Sequence, residues 1–361
     1  MPPSSVHFNG SVNLPDAETV MREISARIPS GVRRMTDGET GERNYWIHFQ
    51  IQKFVAMPEF ELLERVQVYE TEDDAPAMPQ LQLAADASAD SVQWPNLGYA
   101  DAYIESYELF RGLQDEGIVP GGARFQMQYP TPLAGLAGAF APEALPTLVA
   151  SYGAALFADL DRALASIGHD RCAVQWDVAF EFGLLEGGFG PVLPVDQVAP
   201  PLIACIDQVP DDVPVGMHLC YGDYGHQHFV QPESLATQVG LVNALSAGAR
   251  RPLDFVSFTV PQARDDAGYF VPLRDLQAPP ETELYFALVP YHPDDQASGT
   301  TARQVEHVDG ALAQSAAGAR AWGICTECGM GRVAADDVPR LLDLHREILE
   351  GAAVVADGGG G

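Results

Sequence analysis

The 361 residues carry 50 acidic against 20 basic side chains, a formal charge of −30, and 47% of them are hydrophobic. A surface this acidic, with Lys53 as its only lysine, argues against nucleic acid and anionic membranes as partners, because both need clustered Lys or Arg. No apolar run reaches the roughly 18 residues of a membrane span, and the start, MPPSSVHFNG, has neither the basic nor the apolar segment of a secretory signal. A cytoplasmic location is therefore expected.

In chain order, an apolar segment at 6–8 runs into Asn9-Gly10-Ser11. Asp16 then caps a helix whose Val20, Ile24 and Ile28 recur at helical spacing. A second strand is expected at 32–36, followed by DGETGERNYW, a glycine-rich acidic loop of the kind that carries function. From 54 to 120 the pattern is irregular. There VQVYET and QLQLAA alternate as a hairpin would, around the acidic EDDAPAMP, and 99–113 is helical. The stretch 66–98 reads as an insertion or lid. Regularity then returns, with strands expected at 124–129, 173–178, 213–220, 255–260, 284–289 and 321–324. Helices at 144–166, 235–247, 301–316 and 338–349 lie among them.

Strands alternating with helices imply a parallel sheet with right-handed crossovers. Eight such units close most naturally into a (β/α)8 barrel. The expected architecture is one barrel domain over 1–355, with the insertion between its second and third strands and a disordered glycine tail at 356–361. Nearly every expected strand ends in polar or special residues: NGS, TDGE, QYPTP, QWD, HLCYGD, TVPQ, PYHP and CTECG. In a barrel those ends share the face that holds active sites.

Five cysteines, at 172, 205, 220, 325 and 328, are an odd number for a disulfide framework. Cys172 and Cys205 sit among apolar neighbours and read as small core residues. His218 and Cys220 are two apart on a strand, so both point to one face while Leu219 packs the other way. A thiolate beside an imidazole is half of a zinc site. Cys328, followed by Gly329 where the backbone can bend, is the candidate third ligand. The Cys325–Cys328 pair has no second C-x-x-C to make a zinc ribbon, and a redox pair is its alternative use.

GSVNLP, DGETGERNYWIHF, QMQYPTPLAG, VQWDVAF, HLCYGD and ECGMGR occur here in the order of the catalytic barrel of cobalamin-independent methionine synthase, and the chain resembles that family over nearly its whole length. The wider superfamily includes uroporphyrinogen decarboxylase and epoxyalkane:coenzyme M transferase. The resemblance implies a Zn2+ cofactor held by His218, Cys220 and Cys328, which activates a small-molecule thiol as acceptor for a methyl or alkyl donor. It implies that Ser11, Glu39 and Asp177 hold the amino-acid part of a homocysteine-like acceptor. It also places His292, in VPYHP, near a histidine that assists the leaving group. Where the synthase has a glutamate as fourth ligand, DFVSFTV puts Thr259, a poor zinc ligand; Asp223, Glu327 or Cys325 would be the substitutes, or three protein ligands suffice. The synthase's separate folate-binding half has no counterpart in these residues, and one lysine with a charge of −30 suits a polyanionic folate poorly. The alternatives are a thiol alkyltransferase of the coenzyme M type and a metal-free decarboxylase-like barrel. The oligomeric state, a homodimer among the options, is left open.

Overall fold

Strands buried on both faces must be apolar almost throughout, unlike the alternating strands of a half-exposed sheet. CAVQWDV is such a run, and all seven of its residues are buried in the computed structural model, which describes residues 3–66, 77–223 and 227–351. The strands are β1 (Arg34–Met35), β2 (Phe60–Val66), β3 (Met78–Leu83), β4 (Arg124–Pro130), β5 (Cys172–Val178), β6 (Val215–Leu219), β7 (Phe255–Phe258), β8 (Glu283–Ala287) and β9 (Gly323–Cys325). Seven form one curled sheet in the order β1-β4-β5-β6-β7-β8-β9, every pair parallel.

Helices Leu145–Ile167, Val195–Gln208, Ala236–Gly248 and Thr300–Leu312 connect successive strands of this sheet, and Val338–Leu349 follows the last. The first helix, Ala17–Arg27, starts where Asp16 accepts a hydrogen bond from the Thr19 backbone N–H at 2.7 Å, and it buries Val20, Met21 and Ile24. Among the described residues no helix is long and apolar enough to cross a membrane.

The structure differs from the sequence expectation at three places. Residues 6–8 form no strand of the sheet. Val6 instead makes isolated parallel bridges to Val32, beside β1, and to Ile324 in β9. The chain bends at Gly10, φ 129°, and meets the same flank again at Val12, which bridges in parallel to Met330. Second, the hairpin's first described strand is Phe60–Val66, and of VQVYET only Val66 is among the described residues. Packing fixes this strand: Phe60 is buried, with its ring 4.8 Å from that of Phe140, and Leu81 of β3 bridges to Phe140. Residues 67–76 lie outside the described residues. Third, the second strand shrinks from 32–36 to Arg34–Met35. The glycine tail at 356–361 also lies outside the described residues.

Candidate metal centre

The sheet register sets the site. Asp177 in β5 is the direct neighbour of His218 in β6, so two side chains far apart in sequence share one face at the C-terminal ends of adjacent strands. Cys220 follows one residue beyond β6, its backbone N–H bonded to the Val178 carbonyl at 2.9 Å, which extends the strand's phase. Cys328 comes from the turn after β9. The His218 nitrogen and the two sulfurs lie within 4.8 Å of one another, with His218 and Cys220 buried and Cys328 partly so.

The Cys328 turn is pinned by Tyr291, whose hydroxyl accepts from the Cys328 N–H and donates to the Gly329 carbonyl, each at 2.8 Å. Gly329 is not in the left-handed region. It is needed for close approach instead: a Cβ there would stand 2.8 Å from the Ser11 backbone nitrogen. The expectation of a glycine bend is thus replaced by a contact with the N-terminal segment. Gly222, at φ 91°, does need to be glycine, and a side chain there would strike the Phe229 ring.

His218 is held from both sides. Nδ1 lies 3.2 Å from Asp177 Oδ1 and Nε2 3.1 Å from the Glu327 carbonyl. Asp177 in turn accepts from Gln175 Nε2 at 2.8 Å and Trp46 Nε1 at 3.2 Å. A carboxylate behind an imidazole fixes the ring's orientation and raises its basicity. Burial opposes charge on His218, but the Asp177 hydrogen bond and the nearby Cys328 sulfur outweigh it and lift its pKa to about 9. The Cys328 thiol is pushed well up by its hydrogen bond with Cys220 and by burial. His218 and Cys328 therefore hold their protons, which a metal must displace to bind.

The DGETGERN loop presents Glu39. Thr36 Oγ1 accepts from the Gly38 N–H at 2.9 Å, Asp37 accepts from the Glu39 N–H at 3.0 Å, and Arg43 pairs with the buried Asp37. Among the described residues Glu39 (φ 47°) and Trp46 (φ 53°) are the two non-glycine residues in the left-handed region, and both line the site. Such strain persists where surrounding contacts over-determine it, commonly at functional sites. The Glu39 carboxylate, 5% exposed, makes no hydrogen bond among the described residues. Burial first, then the charge of Asp177, pushes its pKa up to about 8 against the pull of Arg43 and Arg332.

These residues form a cavity open to solvent, lined by Ser11, Glu39, Trp46, Asp177, His218, Cys220, Asp223, Phe229, Cys328 and Arg332, among others. His292 does not line it. It lines an adjoining cavity with Tyr291, His228 and Glu327, and the two cavities share Gly222, Asp223 and Cys328. The expected substitutes for a fourth ligand are otherwise engaged. Thr259 Oγ1 donates to the Leu219 carbonyl at 2.7 Å. The Glu327 carboxylate faces His228 at 2.7 Å and the Gln262 N–H at 2.8 Å. Asp223 grips Arg332 at 2.7 Å, and Cys325 is buried in β9 outside the three-residue group.

Sequence reasoning misses Tyr291 and takes Trp46 for core or rim packing rather than a site residue. Tyr291 is overshadowed by its neighbour His292, and the Trp46 contact with Asp177 spans 131 residues. In comparisons with known proteins, no family model matches the chain and no curated protein matches it.

Proposed function

We propose that this protein is a zinc-dependent transferase that moves a methyl or other alkyl group onto a small thiol, similar in kind to cobalamin-independent methionine synthase. The observation that carries this is the convergence of one imidazole and two cysteine sulfurs within 4.8 Å, on a cavity that also holds Glu39 and Asp177. One borderline nitrogen and two soft sulfurs suit zinc, and three protein ligands with a free position mark a reactive rather than a structural site. We further read the Val6 segment as an eighth strand, set between β1 and β9 by its bridges to Val32 and Ile324, which closes the sheet as a (β/α)8 barrel.

His218, Cys220 and Cys328 would hold the zinc, whose charge lowers the pKa of a thiol brought to the free position. Asp177 orients His218. Glu39, with Asp177 and Ser11 beside it, offers the negative charge that an acceptor's ammonium group requires. His292, which lines the adjoining cavity, would hand a proton to the leaving group as the acceptor sulfur takes the alkyl carbon. A decarboxylase of the uroporphyrinogen type, or a sulfonate-bearing thiol, would call for several free cationic groups. Among the described residues Arg332 is the one arginine lining this cavity, and Asp223 is paired with it.

Metal analysis of protein purified under reducing conditions is the direct test. Roughly one zinc per chain is expected, falling to near zero in Cys220→Ser. A wild-type content near zero that chelators do not change would falsify the zinc role.

A further inference from the structure

Both sulfurs of the cluster accept hydrogen bonds, but from donors of different strength. The Gly222 N–H donates to Cys220 Sγ at 3.3 Å, whereas Cys328 Sγ accepts from Arg332 Nη2 at 3.6 Å. Arg332 is no surface arginine. Its side chain is 6% exposed, and Asp223, 8% exposed, holds both Nε and Nη2 at 2.7 Å. Burying such a pair costs desolvation on both sides, so its position against a sulfur asks for a chemical reason.

The two cysteines also differ in access. Cys220 is buried and lines one cavity; Cys328 is partly exposed and lines both. An alkyl electrophile entering from either side meets Cys328. Any deprotonated sulfur there can attack it. A carbon–sulfur bond then forms at the cysteine, the carbon–leaving-group bond breaks with its electron pair leaving on that group, and the enzyme has alkylated itself. A hydrogen bond occupies a sulfur lone pair and lowers its nucleophilicity, and a charge-assisted one does so most.

We propose that Arg332, steered by Asp223, is a positioning residue that diverts the alkyl group from Cys328 and leaves the acceptor sulfur as the reactive one. Cys220, buried and facing one cavity, manages with the backbone donor of Gly222. This rests on the transferase role and concerns which sulfur reacts.

The test compares zinc-loaded wild type with Arg332→Met, which removes every donor, and Arg332→Gln, which keeps a polar partner for Asp223 without the guanidinium. Each is exposed to limiting iodomethane, and modified peptides are quantified by mass spectrometry over time. Cys328 should be methylated about tenfold faster in both variants, the rate equivalent of one hydrogen bond to a charged group, while Cys220 keeps its wild-type rate. Arg332→Gln carries the test if Arg332→Met does not fold. Cys328 methylation at the wild-type rate, or equal acceleration at Cys220, overturns the role: the first shows no shielding, the second only a loosened fold. Wild-type protein that binds no zinc overturns the transferase role and this proposal together.

Discussion

Glu39 combines a left-handed backbone, near-complete burial and a carboxylate without a hydrogen bond among the described residues. In the empty cavity it keeps its proton up to about pH 8, so an ammonium-bearing acceptor must wait for, or force, its ionisation. Acceptor affinity should therefore rise with pH towards 8 and level off above it. Glu39→Gln should weaken binding by about tenfold or more, the worth of a charge-assisted hydrogen bond, and remove its share of the pH slope. Calorimetric titration of wild type and variant across pH 6 to 9 checks this; identical slopes would rule Glu39 out as the ammonium contact. At this scale the sequence is readable where chemistry follows strand period. His218 and Cys220 are in phase, and the loop holding Glu39 announces itself by composition. Asp177 is visible as a polar residue at a strand end, but not its partner, because the Asp177–His218 contact is a matter of register between strands 41 residues apart.

The elements that deliver these side chains are pinned from outside themselves. The turn after β9 depends on Tyr291 from the turn after β8, which satisfies one N–H and one carbonyl at once. Tyr291→Phe should leave a buried N–H without its acceptor, at a cost of about 1–3 kcal/mol, and should speed zinc release to a chromogenic chelator. Unchanged release kinetics would show that the turn holds its shape without the hydroxyl. Most helices and strands were readable from apolar periodicity, but not Val195–Gln208, where Pro200 and Pro201 break the helical pattern. The hairpin was readable in kind, but not the strand Phe60–Val66, which is fixed by Phe60 burying its ring against Phe140, a tertiary contact that local pattern does not contain.

For the whole molecule, the charge of −30 is a self-repulsion that folding compresses. Salt screens it, the Debye length falling from roughly 30 Å at 0.01 M to 10 Å at 0.1 M. The thermal midpoint should therefore climb with sodium chloride over that range, as followed by circular dichroism. A flat or falling midpoint would mean that the acidic groups are locally compensated. The overall class was legible, since alternating strands and helices leave few alternatives to a parallel sheet. How the sheet ends was not, because residues 6–8 have too little pattern to reveal which neighbours they touch.

Ser4 reaches Trp322 across 318 residues, and Val6 touches strands from both ends of the chain. During synthesis this segment has half of its berth missing until β9 has been made. Long-range closures of this kind are slow, so a nascent chain stopped short of Ile324 keeps a raw β-edge, with the N-terminal residues as the piece most exposed to proteases and chaperones.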